Sequence, residues 1–195
     1  QGGIIQYNAE VDEILVEKSH VRGVKLKSGR SIKSDLVISN ADAAWTYRHL
    51  IPPEHRKRWT NKKIESSHYS NGLFVWYFGT KGKYPNVPHH SVILGPRYRG
   101  LLDDIFKHKK LAKDFSLYLH RPTETDPSMA PEGCDAFYVL APVPHLDADV
   151  DWHTYAETFR QRICKRLEET MLPKLSSRLV TSRLLTPQDF QDRLC

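Results

Sequence analysis

The sequence has no long hydrophobic run and few cysteines. No stretch of its 195 residues approaches the ~18 consecutive apolar residues that a membrane-spanning helix needs. Its three cysteines, Cys134, Cys164 and Cys195, cannot all pair and show no Cys-x-x-Cys spacing. This excludes a fully paired disulfide framework and a cysteine zinc site. Such cysteine usage is typical of a reducing, cytoplasmic setting.

Short motifs of several enzyme classes are missing as well. The sequence contains no Gly-x-Gly-x-x-Gly, P-loop, Gly-x-Ser-x-Gly, His-Glu-x-x-His or paired-carboxylate motif. The missing glycine fingerprint matters most, because a flavin pyrophosphate is normally held at such a strand–turn–helix. The chain opens on Gln1 instead of Met. We therefore expect a segment of a longer protein, without a signal peptide.

The charge of the chain favours no single partner. The net charge is +6, with basic clusters at residues 56–58, 62–63 and 107–113. Solvated helix faces are the favoured interpretation, and a patch that docks on a membrane is the alternative. Nucleic acid is not expected, because no RNA-binding, helix-turn-helix or finger spacing accompanies the charge.

The sequence also predicts no metal site. The adjacent residues His89 and His90 fall at the start of a predicted strand. Neighbouring side chains of a strand point to opposite faces, so the two imidazoles are expected to diverge.

The remaining sequence predicts an α+β fold with a mixed, mostly antiparallel sheet and helices packed on it. A composition of 39% hydrophobic and 27% charged residues is that of an ordinary globular protein with a real core. Short β-prone runs at residues 4–5, 9–14, 21–26 and 32–38 predict a small meander. The unbroken apolar run at 36–38 is typical of a strand buried on both faces.

Two alternating strands flank a proline-rich connector in the second half of the chain. Four residues in the connector, Pro122, Pro127, Pro131 and Gly133, forbid a helix or a continued strand. The pattern therefore predicts a hairpin with a long, stiffened loop. The residues expected on its buried face are Phe115, Leu117, Leu119, Phe137, Val139 and Ala141.

A third strand, residues 73–78, is apolar on both faces. Such a strand is either covered on both sides, which is the commoner case, or has one face on an apolar cavity. Helices are predicted at 43–50 after the capping residue Asp42, at 53–60, at 97–113, and from 151 or 154 to about 172. The stretch 61–70 is predicted to be a linker or the start of a strand. The longest helix carries an apolar stripe that is predicted to pack on a sheet face: Tyr155, Phe159, Ile163, Leu167 and Met171. A last strand at 178–185 and a short helix from Pro187 complete the prediction.

Four blocks of the sequence carry a family resemblance that covers essentially the whole chain. They are SNADAAWTYRHL at 39–50, SNGLFVWYFG at 70–79, HHSVILGPRYRGLLDDIF at 89–106, and FSLYLHRPTETDPSMAPEG with FYVLAPVPHL between 115 and 146. All four closely resemble bacterial-type phytoene desaturases, which are FAD-dependent carotenoid dehydrogenases of the flavin-containing amine oxidoreductase superfamily.

The resemblance implies a domain division and an activity. Residues 1–42 would be a β-meander and strand of the FAD-binding domain, and residues 43–195 most of the substrate-binding domain. The enzyme would bind FAD and remove a hydride from phytoene or a partly desaturated carotenoid, extending the conjugated polyene toward lycopene. It would be cytoplasmic and associated peripherally with the membrane surface, and this chain on its own would be inactive.

The resemblance also implies site residues. Val11, in a Val-x-x-Ile pattern with Ile14, would contact the adenine of FAD through its backbone, and Asn40 would approach the flavin nucleotide. Phe74, Trp76 and Phe78 are predicted to line an apolar substrate tunnel. No catalytic residue is assigned.

Two alternatives to the desaturase stay open. One is a non-enzymatic domain that binds an apolar ligand or a partner, motivated by the missing glycine fingerprint. The other is a related carotenoid or retinoid oxidoreductase, such as an isomerase, a ketolase or a saturase.

Overall fold

The structure is a computed structural model and describes residues 2–194. The chain forms two compact units, one ending at His68 and one spanning Tyr69–Arg193. The predicted functional division into 1–42 and 43–195 stays a prediction, because compactness reports how the chain packs and not which ligand each part binds. Between residues 2 and 194 no helix is long and apolar enough to cross a membrane.

The first unit contains a three-stranded antiparallel sheet of β1 (Val11–Glu17), β2 (His20–Leu26) and β3 (Ser31–Lys33), in that order. The two residues between β1 and β2, Lys18 and Ser19, both have positive φ (48° and 65°). This is the backbone of a two-residue hairpin turn whose twist matches that of the strands. The predicted meander is therefore present.

Two runs that the sequence pattern assigned to strands are not strands in the structure. Residues 4–5 precede β1 as irregular chain, with Ile4 and Ile5 exposed. Residues 36–38 are also irregular, with Leu36 71% and Ile38 86% exposed. An unbroken apolar run forms a buried strand only where neighbouring strands and helices cover it. Among residues 2–194 no strand pairs with 36–38.

The helices of the first unit are short. Asp42 caps α1 (Ala43–Trp45) by accepting a hydrogen bond from the Trp45 N–H at 2.8 Å, and a π-helical turn, Thr46–Leu50, continues it. The helix predicted at 53–60 is a single 3₁₀ turn, Pro53–His55. The next helix, α2 (Asn61–Glu65), begins after the capping residue Thr60, where a linker was expected.

The second unit is built on a five-stranded antiparallel sheet. Its strands are β4 (Gly72–Lys81), β5 (His90–Ile93), β6 (Leu117–His120), β7 (Cys134–Val143) and β8 (Leu179–Leu185). Their order across the sheet is β5-β6-β7-β4-β8. The hairpin predicted around the proline-rich loop is β6 and β7, which pair with Leu119 opposite Val139. The predicted α+β class with an antiparallel sheet is confirmed.

Four helices belong to this part of the chain: α3 (Tyr98–Phe106), α4 (Trp152–Thr170), α5 (Leu175–Arg178) and α6 (Pro187–Leu194). α4 begins after the capping residue Asp151, which is the first of the two predicted starts. α3 is shorter than the predicted 97–113, and Lys109 beyond its end has a positive φ of 50° that a helix does not allow.

The main core lies between one face of the sheet and α4. The stripe of α4 predicted to pack on the sheet is confirmed, since Phe159, Ile163 and Leu167 are at most 1% exposed. The Phe159 ring meets the Phe74 ring of β4 edge to face, with the centroids 4.9 Å apart. β6 and β7 contribute the alternating residues that the sequence assigned to this face, among them Leu119, Val139 and Ala141, which are fully buried.

Candidate functional site

A row of rings crosses the face of the sheet that is turned away from the α4 core. In register across the strands, His90 is paired with His120, His120 with Tyr138, and Tyr138 with Tyr77. Directly opposite residues of antiparallel strands share a face. Successive ring centroids lie 5.1, 4.6 and 5.6 Å apart. These four residues, called the aromatic row here, connect strands β5, β6, β7 and β4.

A second row runs beside the first on the same face. Its members, one from each strand, are paired in register: Val92, Tyr118, Leu140, Val75 and Leu185. All of them except Tyr118 are aliphatic. This set is called the apolar row. Its edge member Val92 is 68% exposed, and Tyr77 in the aromatic row is 43% exposed. Val75 in the apolar row is only 4% exposed and is therefore covered. The accessible members of the two rows present flat rings and aliphatic side chains, to which a flat hydrocarbon can bind by shape.

Three imidazoles meet at the edge of this face. A ring nitrogen from each of His89, His90 and His120 lies within 4.8 Å of the other two. The Nε2 atoms of His89 and His120 are 2.6 Å apart. His89 Nδ1 is hydrogen bonded to Thr125 Oγ1, and His90 Nδ1 lies 2.7 Å from the Tyr118 hydroxyl. His89, His90 and His120 are called the histidine cluster below.

His120 has an unusual environment within the cluster. Its burial, followed by the nearby His89 and His90, lowers the pKa of its imidazole below the ordinary value. Its Nδ1 atom is buried and has no hydrogen-bond partner among the residues that the structure describes. The described residues therefore do not use the full hydrogen-bonding capacity of the three imidazoles.

The prediction that His89 and His90 point to opposite faces is wrong. Their ring centroids are 4.3 Å apart. β5 begins only at His90, so His89 lies in a bend outside the strand. Alternation of side chains applies inside a strand and not across its end. Alternation along the strand therefore does not keep these two imidazoles apart.

A buried ion pair anchors the loop that reaches the histidine cluster. Arg121 and Asp135, at the two ends of the loop between β6 and β7, form two bonds: Nε to Oδ2 at 3.1 Å and Nη2 to Oδ1 at 3.3 Å. Their side chains are 5% and 0% exposed. Arg121 also donates to the Val87 carbonyl, and the Thr123 hydroxyl donates to Asp135. The same loop carries Thr125, the partner of His89.

Reasoning from the sequence missed this pair, although a signal was present. The alternation of β7 places Asp135 on the same buried face as Phe137 and Val139. A carboxylate at a core position of a strand requires a partner, and Arg121 follows the facing strand directly.

A cavity of about 550 Å³ lies within the first unit. It is lined mainly by aliphatic and small residues, among them Ile14, Val21, Ser39 and Ala41. The two predicted FAD contacts are close to it in sequence: Asn40 lies between Ser39 and Ala41, and Val11 begins the strand that carries Ile14. Val11 is half-buried and Asn40 is exposed. Their contact with FAD stays a prediction.

The three predicted substrate residues lie in the α4 core. Phe74 and Trp76 are 0% and Phe78 is 3% exposed. The Trp76 indole donates a hydrogen bond to Ser182 Oγ at 2.8 Å, and the Arg160 guanidinium lies 5.1 Å from the Trp76 ring centroid. This packing favours the core role, which is also the commoner one for such a strand. Contact with substrate stays a prediction for these residues.

Comparison of the sequence with known proteins gives relatives that match nearly the whole chain. No protein-family model matches it. The chain is 51% identical to the phytoene desaturase (neurosporene-forming) of Cereibacter sphaeroides and 48% identical to the phytoene desaturase (lycopene-forming) of Pseudescherichia vulneris, in each case over 99% of its length. It spans 38% and 39% of the length of these two relatives.

Solved structures share the fold. An oxidoreductase from Methanosarcina mazei superposes on 91% of this chain and 36% of its own, with a TM-score of 0.57 and 19% sequence identity. A protein from Pyrococcus furiosus superposes with the same TM-score at 17% identity. At this level of identity the likeness supports the fold alone.

Proposed function

We propose that this chain forms the substrate-binding part of a desaturase, starting from its membership of the bacterial-type phytoene desaturases. Such an enzyme introduces conjugated double bonds into phytoene or partly desaturated carotenoids. The observation that carries the proposal is the identity of 51% and 48% to two such enzymes over 99% of the chain. Because the alignments cover 99% of the chain, they extend through both compact units.

The cofactor in this proposal is FAD, which when bound would accept the hydride that leaves the substrate. Support comes from the cavity of the first unit, which combines aliphatic and small residues beside Asn40 with polar side chains such as Thr46 and Lys57. Val11 would bind the adenine through its backbone, and Asn40 would approach the nucleotide. The chain offers no glycine-rich turn for the pyrophosphate.

The substrate surface in this proposal is the face formed by the aromatic and apolar rows. A polyene has no polar group, so a protein can recognise it only by shape and by apolar contact. Flat rings such as those of Tyr77 and Tyr138 would stack on the conjugated chain, and the apolar row would exclude water from it. Phe74, Trp76 and Phe78 remain proposed contacts as well.

Peripheral association with a membrane is part of the same proposal, because long hydrocarbons dissolve in bilayers. Support comes from the region around α3, where Tyr98 and Phe106 are exposed beside the basic residues 107–113. Flotation of the protein with anionic liposomes at rising salt tests this. Binding that ignores both lipid charge and salt would contradict a role of the basic residues.

A chimera tests the function itself. The chain replaces the corresponding segment of the C. sphaeroides relative, and the purified chimera is loaded with FAD and given phytoene in liposomes. We expect desaturated carotenoids, separable by chromatography, because the two sequences are 51% identical here. The unchanged relative is the positive control.

A chimera that is folded and carries FAD but leaves phytoene unchanged would contradict the proposal. Conversion of another carotenoid or retinoid by that chimera, without desaturation of phytoene, would support the alternative of a related oxidoreductase.

A further inference from the structure

We propose that His89, His90 and His120 form a binding site for a divalent transition-metal ion of the zinc class, at the edge of the five-stranded sheet. One ring nitrogen from each residue lies within 4.8 Å of the other two. His90 and His120 also belong to the aromatic row of the proposed substrate surface. The metal proposal rests on the geometry of the three imidazoles and does not depend on the desaturase function.

The distances require only a small adjustment. Zinc lies about 2.0–2.1 Å from imidazole nitrogen in tetrahedral sites, which places ligand nitrogens roughly 3.4 Å from one another. The Nε2 atoms of His89 and His120 are now 2.6 Å apart and would separate by less than about 1 Å to admit the ion. His90 is exposed and begins its strand, so a small rotation of its ring toward the other two would disturb no core packing.

Hydrogen bonds around the cluster resemble those that orient metal ligands. In metal sites the second ring nitrogen of a ligating histidine almost always has a hydrogen-bond partner. Here Nδ1 of His89 is bonded to Thr125, and Nδ1 of His90 is 2.7 Å from the Tyr118 hydroxyl. These bonds orient the rings and make Nε2 the ligand atom of both residues.

His120 differs from the other two histidines in this respect. With Nε2 as its ligand atom, its second ring nitrogen is Nδ1, which is buried without a partner among residues 2–194. Thr125 and Tyr118 therefore orient two of the three rings, and the third is held by its packing.

The ligand type defines the class of ion. Three imidazoles suit zinc, cobalt, nickel or copper, whereas magnesium and calcium prefer oxygen ligands. Three protein ligands leave a fourth position open, on the side where His90 is exposed to solvent. A bound ion would also tie the segment before β5 to β6 and, through Thr125, to the loop that follows β6.

The test is a titration of the purified, full-length protein after removal of metal with a chelator. Zinc binding is measured by calorimetry, and cobalt binding by visible absorption. We expect a single ion per chain with micromolar or tighter affinity. The cobalt spectrum should show tetrahedral bands without thiolate charge transfer, because Cys134 and Cys164 are not part of the ligand set.

Matched variants identify the ligands. His90→Ala should weaken zinc binding by more than about 100-fold, since losing a ligand costs more than the roughly 10–100-fold lost with an outer partner. The control His153→Ala, also an exposed histidine, should bind as the unchanged protein does. Thr125→Val should weaken binding about 10-fold and shift the cobalt spectrum. The exposed threonine of β8, in Thr181→Val, should do neither.

Two results would overturn the proposal. One is zinc binding with a dissociation constant of millimolar or weaker, which would indicate an adventitious ion only. The other is tight binding that His90→Ala leaves unchanged, which places the ion elsewhere. Because His90 is exposed, its replacement is expected to leave the fold intact, and circular dichroism checks this.

Discussion

The two faces of the five-stranded sheet come from alternate residues of the same strands, yet they are packed differently. On β4, Trp76 is fully buried against the α4 core, whereas its neighbour Tyr77 is 43% exposed on the other face. On β7, Val139 is fully buried and the adjacent Tyr138 is half-buried. Aromatic residues on the first face fill space, while those on the second remain available to a ligand. Substitutions at adjacent positions can therefore separate stability from binding.

The face packed against α4 is called the closed face here, and the opposite one the open face. The largest effect is expected from Trp76→Ala on the closed face. Emptying a packed aromatic site costs about 3–5 kcal/mol of unfolding free energy, and the hydrogen bond to Ser182 is lost as well. Urea unfolding of the full-length enzyme measures this. A nearly unchanged stability with an altered ratio of carotenoid products would instead identify Trp76 as a substrate contact. The two faces would then no longer differ in their roles in packing and binding.

Arg121→Met should destabilise the protein by about 3 kcal/mol, at the low end for broken buried ion pairs. The cost is moderated because Asp135 still accepts hydrogen bonds from the Tyr84 N–H and the Thr123 hydroxyl. The loop between β6 and β7 should also become more mobile, because this pair joins its two ends. Proteolysis between residues 122 and 133 should therefore become faster than in the unchanged protein. Equal stability of variant and parent would show that the pair does not anchor the loop.

Ile163→Val removes one methyl group from the closed face and should cost about 1 kcal/mol, since Ile163 is fully buried. The control on the open face is Val92→Ala, at a position 68% exposed, for which we expect a change within about 0.5 kcal/mol. Both values come from the same denaturation experiment. A larger loss of unfolding free energy in Val92→Ala than in Ile163→Val would contradict the assignment of the two faces.

Tyr77→Leu should have the smallest effect on stability, within about 0.5 kcal/mol, because its side chain is 43% exposed. Its effect should appear in turnover, since the variant removes a flat ring from the proposed polyene surface. Initial rates with phytoene in liposomes measure this, and Arg183→Lys, at the position paired with Tyr77 in β8, serves as a control that keeps the charge. Unchanged rates in Tyr77→Leu would exclude this ring from the site.

Much of the second unit was predictable because its patterns are local. The alternation of residues 117–120 and 137–141 correctly identified which side chains are buried in the β6–β7 hairpin. The four-residue spacing of Phe159, Ile163 and Leu167 likewise identified the buried stripe of α4. Each of these patterns needs only one element and one covering layer to be interpreted.

The predictions that failed depended on other elements. The apolar residues 36–38 have the sequence of a buried strand, but no strand in the described chain pairs with them. The doubly apolar strand β4 was ambiguous between core and cavity, and the packing of Phe74 and Trp76 against α4 favours the core. An apolar pattern reports a preference for burial and not what provides it.

The sequence by itself determined the family likeness, the α+β class, the hairpin and the main buried stripes, because each is encoded in consecutive residues. Only the tertiary structure decided which distant residues meet. Arg121 and Asp135 form an ion pair because two antiparallel strands bring the ends of a loop together. His89 and His90 join His120 because β5 pairs with β6 and begins only at His90. His89 therefore lies outside the strand, where side-chain alternation does not apply. Register and strand ends place such side chains within bonding distance, and neither is encoded in a local pattern.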